Sequence, residues 1–274
     1  ARVEAWAATT YETLAELAQS APESGVVMRE MLVLGHAPLA DPGWPVLRGF
    51  RRAAAHELPP GYADGWLAMS PVVATPRYLP WLLTRLALAG GGVELVPGGV
   101  PSLAAAAQAT GATLVVHCSG LGARALAGDR SLVPVRGQVA VVENPGLSRV
   151  VLVEDEAAAP IYVIPRGGDC VLGGTADVGE ESLEADPATT AAILDRAARL
   201  VPELAGARLL DVRVGLRPTR PEVRLEWEPT TADEPDAVPV IHCYGHGGAG
   251  YTLAWGCAEE VTALVTSAAT TAAW

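Results

Sequence analysis

Gly245-His246-Gly247-Gly248-Ala249-Gly250 follows the apolar run Val240-Ile241-His242-Cys243-Tyr244 and precedes Tyr251-Thr252-Leu253-Ala254-Trp255. The glycines fit G-x-G-x-x-G, set between a strand-like and a helix-like segment, which is the context the pattern needs. Glycines let a ligand come close to the main chain, and the unpaired N–H groups at a helix start favour negative charge. The same glycines would equally serve a tight turn built for packing, and spacing alone leaves both readings open. A complete dinucleotide-binding unit would continue through a helix, a second strand and a ribose-binding acid. The chain ends at Trp274, 24 residues after Gly250, which is too few.

Working back from this turn, Val238–Cys243 and Leu209–Gly215 read as strands, as do Gly137–Val142, Ile161–Ile164 and Cys170–Gly173. Asp186-Pro187 is a helix start, with Asp as N-cap and Pro at the first position, and Ile193, Leu194, Ala197 and Leu200 share one face of that helix. Tyr11, Leu14, Leu17 and Ala18 predict an opening amphipathic helix, followed by a strand over Val26–Leu34. Asp41–Pro60 reads as irregular, and Thr75-Pro76 opens a helix to Gly90 with Pro80 in its first turn. Val93–Val96 predicts a short strand, Ser102–Ala107 a short helix, and Thr113–His117 a buried strand ending in Cys118-Ser119-Gly120. The final helix runs to about Ala268. Strands and helices alternate at both ends and strands cluster in the middle. The fold class is α/β (α+β): an α/β domain with a mostly antiparallel sheet inserted into it.

Composition narrows the function. The 274 residues are half apolar, enough for a large core, and carry a net charge of −12. Such a surface repels phosphate backbones, so no nucleic-acid partner is expected. No apolar run approaches the ~18 residues of a membrane span and the first residues lack a signal-peptide design, so a cytoplasmic protein is expected, without a membrane partner. Lysine is absent; this excludes Schiff-base chemistry. With abundant alanine it points to a GC-rich bacterial gene. Cys118, Cys170, Cys243 and Cys257 form no C-x-x-C pair, lie in apolar segments, and read as buried reduced thiols. His36, His56 and His117 show no metal-ligand spacing, and no metal is expected.

Longer stretches carry more than the glycines alone. Val240 to Thr252 with Trp255-Gly256-Cys257-Ala258 closely resembles the C-terminal signature of D-amino-acid oxidases. In the same order, Val214 to Glu226 resembles that family's arginine-rich strand, and Tyr162-Val163-Ile164-Pro165 with Gly173-Gly174 its active-site strand. His117-Cys118-Ser119-Gly120 and Arg136-Gly137-Gln138 resemble its central flavin-domain stretch, and Gly65-Trp66 and Tyr78–Leu82 also fit. The resemblance spans nearly the whole chain. It implies FAD as cofactor, with D-amino acids oxidised to 2-oxo acids, ammonia and hydrogen peroxide at the expense of dioxygen. It implies a homodimer. It implies a discontinuous, Rossmann-like FAD-binding domain over 1–20, 91–130 and 206–274, and a substrate domain over 21–90 and 131–205.

The matched positions give roles. Arg224 resembles the arginine that grips the substrate carboxylate, for which a guanidinium fork offers two parallel charge-assisted bonds. Tyr162 resembles the tyrosine that hydrogen-bonds the same carboxylate, and Gly248 the position whose carbonyl accepts from the substrate amine. Gly247, Gly248, Gly250, Tyr251 and Thr252 match cofactor contacts in the glycine turn, Ser119 and Gly120 match positions near the cofactor, and Val100 matches one at the adenine end. His242 and His246 invite reading as bases. Hydride transfer from a substrate with a free amine requires no side-chain base, so none is expected.

Two departures stand out. Ala158 occupies the position of a lid tyrosine, so substrate size does not transfer. Family members also begin with a strand, a G-x-G-x-x-G turn and a helix, whereas the first residues here match the helix that follows. Either that segment is supplied separately, or the sequence is a fragment, or the cofactor site is lost. Competing with the D-amino-acid reading are a related oxidase of glycine, sarcosine or D-aspartate, and a flavin-free pseudoenzyme.

Overall fold

The computed structural model describes residues 2–43, 46–154, 160–229 and 238–271, the side chains of 269–271 excepted. In chain order the elements are α1 (Arg2–Ser20), β1 (Val26–Gly35), β2 (Arg51–Arg52), β3 (Asp64–Val73), α2 (Thr75–Leu88), α3 (Leu103–Thr110), β4 (Val115–His117) and α4 (Ala123–Leu126). There follow β5 (Val133–Glu143), β6 (Val150–Val153), β7 (Ile161–Pro165), β8 (Asp169–Gly173), β9 (Asp177–Val178), α5 (Pro187–Leu200), β10 (Leu209–Glu228), β11 (Val240–His246) and α6 (Gly250–Thr271). The chain divides into two compact units: Tyr11–Gly90 with Arg136–Leu216, and Ala1–Thr10 with Gly91–Val135 and Arg217–Trp274.

In the first unit the strand order is β2-β3-β1-β6-β7-β8-β5. Only β1 and β6 pair in parallel; the other neighbours run antiparallel. Alternate residues Leu32 and Leu34 of β1, Val142 of β5, Val163 of β7 and Leu172 of β8 point to one core. Ile193, Ala197 and Leu200 of α5 fill it from above. That helix begins where the sequence says it should, since the Asp186 carboxylate accepts the backbone N–H groups of Ala188 and Thr189 at 3.2 and 2.9 Å.

The second unit is smaller. β11 runs antiparallel to the end of β10 and parallel to β4. The start of α1 lies against α6, where Trp6, Leu225, Leu253 and Cys257 form a buried cluster. Glu260 receives the Trp6 indole N–H at 2.7 Å and the Arg2 guanidinium. The Thr10 hydroxyl accepts from the backbone N–H groups of Trp255 and Gly256, both at 3.1 Å.

Several expectations are corrected. Val93–Val96 is not a strand; Val93 and Leu95 are 62% and 88% exposed. A strand must pair its main-chain groups, and three apolar residues around Glu94 do not dictate a partner. Pro80 lies in the second turn of α2, not the first. The strand expected at Leu209–Gly215 continues to Glu228, because its second half pairs with β11. β3 was not expected: Trp66-Leu67-Ala68-Met69-Ser70-Pro71 does not alternate. It forms because β1 pairs with it from Val26↔Val73 to Gly35↔Asp64, and β2 covers only Trp66 and Leu67, so Pro71 sits where a missing N–H is tolerated. The thiols also divide: Cys170 and Cys257 are buried, but Cys118 is exposed and Cys243 half-buried. β4 stops at His117, which leaves Cys118 in the turn beyond the sheet.

The contact of α1 with α6 depends on one missing side chain. A Cβ at Gly256 would fall inside the van der Waals surface of the Trp6 main chain. Gly256→Ala should therefore lower stability by about 1–3 kcal/mol, the usual cost of overpacking, despite alanine's better helix propensity. A urea midpoint that stays constant or rises would refute this close-packing account.

Candidate functional site

The register of β10 on β11 sets out the polar centre of the smaller unit. Arg224 stands opposite Tyr244, Glu226 opposite His242, and His242 opposite His117 of β4. Between Thr219↔His246 and Arg224↔Tyr244 there are five steps along β10 and two along β11, so β10 bulges over Arg220–Val223. Arg224 donates through Nε to Glu226 at 2.5 Å, and through its two terminal nitrogens to the Tyr244 hydroxyl and Glu228, each at 2.8 Å. Burial alone would lower its pKa; the bonds to Tyr244 and Glu226 outweigh that and raise it. Its side chain is 17% exposed, whereas those of Glu226 and Glu228 are 56% and 57% exposed.

Tyr244 is fully buried, and its hydroxyl donates to Asp129 Oδ2 at 3.0 Å. Arg220 reaches the same oxygen at 2.8 Å. The Ser131 hydroxyl and N–H, then Tyr244 and Arg220, hold the Asp129 carboxyl well below the usual carboxylate range.

A second chain of hydrogen bonds meets this one. His117 Nε2 is 2.6 Å from the Ser119 hydroxyl, His117 Nδ1 is 3.1 Å from His242 Nδ1, and His242 Nε2 is 3.0 Å from Glu228. The acceptor-only carboxylate dictates the proton positions. His242 donates from Nε2 to Glu228, so its Nδ1 accepts from His117 Nδ1–H, and His117 Nε2 accepts from Ser119. The order Ser119, His117, His242, Glu228, Arg224 thus joins a cofactor-matched residue to the substrate-matched one.

The glycine turn follows β11 directly. Gly245 and Gly247 have φ of 86° and 55°. A Cβ at Gly245 would lie 2.8 Å from Arg220 Cβ. Both positions therefore require glycine. Gly248, Gly250, Tyr251 and Thr252 are exposed, and a Cβ at Gly250 would meet nothing within 4 Å. The α6 N-terminus carries no acidic residue in its first turn. Gly120, with φ of 57°, lies in the short turn after Ser119. Val100 sits half-buried in an irregular stretch.

Thus Val100, Ser119, Gly120, Arg224, Gly247, Gly248, Gly250, Tyr251 and Thr252 all belong to the smaller unit, and Tyr162 to the larger. There Tyr162 pairs with Gly173, and its ring covers that glycine so closely that a Cβ would enter the ring. A Cβ on Gly174 would lie 3.2 Å from the Tyr162 hydroxyl. Arg136 is 6% exposed and donates to the Ser182 and Glu184 carbonyls, pinning a loop in that unit. Ala158 lies outside the described residues.

Sequence reading missed Tyr244, Asp129 and the paired state of His117 and His242. Alternation along β11 places His242 and Tyr244 on one face and is legible; the partner strand and its register are not.

A family model described as DAO, FAD dependent oxidoreductase, matches residues 1–264. The D-amino-acid oxidase of Rubrobacter xylanophilus is 49% identical over 269 residues, which is 97% of this chain and 80% of that protein. That of Streptomyces coelicolor is 44% identical over 269 residues, 96% of this chain and 79% of that protein. Among solved structures, glycine oxidase from Geobacillus kaustophilus superposes with a TM-score of 0.74 at 20% identity, covering 93% of this chain and 76% of that one, which is a likeness of fold.

The imidazole pair has a consequence for stability. Burial first, then the His242 and Arg224 charges for His117 and the Arg224 charge for His242, hold both below the ordinary histidine value, with Glu228 opposing. A depressed base is neutral when folded and takes a proton when unfolded, so stability should fall as pH drops below ~6.5. The fall should level off beneath the folded values. Depressed carboxylates such as Asp129 act separately, below about pH 4. His242→Gln should flatten the decline in urea midpoint between about pH 7 and 5.5. An unchanged slope would contradict a neutral native pair.

Proposed function

Because the chain belongs to the DAO family of FAD dependent oxidoreductases, we propose that Arg224 holds the α-carboxylate of a D-amino-acid substrate. The activity is oxidative deamination of D-amino acids to 2-oxo acids, ammonia and hydrogen peroxide. When bound, FAD would supply the redox chemistry, acceptance of a hydride from the substrate α-carbon and its reoxidation by dioxygen.

The observation that carries the Arg224 assignment is the state of its guanidinium. It is shielded from water, fixed at one nitrogen by Tyr244, and engaged at the others by two carboxylates whose own side chains are more than half exposed. A substrate carboxylate takes the place of both exposed glutamates, which turn into water and free Nε and one terminal nitrogen, and the Tyr244 anchor stays. The fork then orients the substrate by two parallel bonds.

Gly247, Gly250, Tyr251 and Thr252, with Ser119, Gly120 and Val100, are assigned to the cofactor. What supports this is the exposed main chain of the turn, the open space at Gly250, and a helix N-terminus without acidic residues; such a terminus favours the charge a flavin ring gains on reduction. Gly248 is assigned the substrate amine through its carbonyl. Tyr162 is assigned a hydrogen bond to a substrate carboxylate on its motif alone. No side chain is needed as a base, and both ring nitrogens of His242 are already engaged.

A second reading of the substrate has one observation in its favour. The Arg217 side chain passes over Gly248, with Cδ 3.7 Å from where a Cβ would be. A cation there suits a second carboxylate, as on D-aspartate, and a higher kcat/KM for D-aspartate than D-alanine that reverses in Arg217→Leu would establish it. No described helix is long and apolar enough to cross a membrane. We place the protein in a bacterial cytoplasm, which suits its free cysteines, and as the homodimer that family resemblance implies.

Arg224→Leu should lower kcat/KM for D-alanine by roughly 10²–10³, the value of two charge-assisted bonds, with the flavin absorbance of the purified protein unchanged. Loss of the flavin in the same variant would show that Arg224 serves the cofactor instead. Tyr162→Phe should cost roughly 10–100-fold, one hydrogen bond to a charged carboxylate. A colourless wild-type chain that takes up no added FAD would overturn the cofactor assignment.

A further inference from the structure

The end of β11 and the facing side of α6 carry a cluster that the proposed activity does not use. Cys243 Sγ and Cys257 Sγ lie 4.0 and 3.5 Å from His246 Nε2. The three ligand atoms are all within 4.8 Å of one another.

We propose that Cys243, His246 and Cys257 form a site for a thiophilic divalent cation of the zinc class, with the fourth position left to a solvent molecule.

Geometry is the first support. Zinc–sulfur and zinc–nitrogen bonds of about 2.3 and 2.05 Å at the tetrahedral angle put sulfur ~3.6 Å from nitrogen and ~3.8 Å from another sulfur. The two sulfur–nitrogen distances bracket or approach that value without an ion. The ligand set is the second: two thiols and an imidazole, no carboxylate, select zinc over magnesium or calcium. Topology is the third. Cys243 is near the end of β11, His246 is its last residue, and Cys257 is on α6 beyond the turn. The turn made possible by Gly245 and Gly247 folds the strand end back toward the helix. Trp6, Leu253, Ala249 and Val261 give the site an apolar surround, while half-buried Cys243 and His246 leave it a side that solvent reaches. Each coordinated cysteine releases its proton to solvent, so binding two thiols liberates two protons per ion. The ion would tie the strand to the helix across the glycine turn.

The test is an anaerobic cobalt titration of the purified, reduced protein with its flavin content as isolated. One equivalent of Co²⁺ should give the thiolate charge-transfer and intense ligand-field bands of a tetrahedral site, which Zn²⁺ then bleaches. Zn²⁺ should also raise the melting temperature. Cys243→Ser, Cys257→Ser and His246→Ala should each weaken binding by more than the roughly 10–100-fold typical of losing an outer-sphere partner. Cys170→Ser, in the other unit, should change nothing. If a variant fails to fold, the wild-type titration still decides. A reduced protein with reactive thiols and no cobalt–thiolate band overturns the proposal. So does a disulfide among Cys118, Cys243 and Cys257 in freshly isolated protein that persists when Zn²⁺ is supplied.

Discussion

A phenol has one proton to give, and in this fold Tyr244 gives it to Asp129 while accepting from Arg224. The residue is buried, so a hydroxyl stripped of either partner would lose much of what replaced water. Arg220 closes onto the same Asp129 oxygen. One phenol therefore ties the loop after α4, the bulge in β10 and the middle of β11 together. The bulge then aims Arg224, and the glycine at 245 is needed because Arg220 packs against it. Buried polar groups of this kind are strong only when complete, which makes the whole set rise or fall together.

β11 shows how a single strand can serve two purposes. Successive side chains leave opposite faces. His242 and Tyr244 carry the polar network toward β4 and β10, while Cys243 lies with Trp6 and Leu253 beneath α6. His246, at the end of the strand, reaches across to the thiol side. The two systems share a backbone and no side chain, so each could change without dismantling the other.

The sequence declared what local chemistry decides. Asp186-Pro187 announced α5, the Gly245–Gly250 pattern announced the turn before α6, and the motif around Arg224 gave the family. What stayed hidden depended on partners distant along the chain. β3 has no alternating pattern of its own and exists because β1 pairs with it over its full length. Val93–Val96 has the composition of a strand and stays irregular. His117 and His242 are 125 positions apart, and only the parallel pairing of β4 with β11 turns them into a hydrogen-bonded pair. The Tyr162–Gly173 contact is similar: the glycine is visible, and the ring that demands it is not.

The glutamates beside Arg224 are attached to the same strand, two and four residues on. A tethered group behaves as though present at millimolar concentration or above, whatever the solution contains. On the assignment of Arg224 to a substrate carboxylate, every acid that approaches meets a resident rival that never diffuses away. Simple carboxylates, bringing one charge and nothing else, would compete poorly. A molecule that also offers an amine to a carbonyl and a side chain to the surroundings has further contacts with which to prevail. Glu226 and Glu228 would in that sense act as a threshold, raising the apparent dissociation constant of every ligand by the same factor, so that weakly held carboxylates stay unbound at cellular concentrations while a ligand with further contacts still binds.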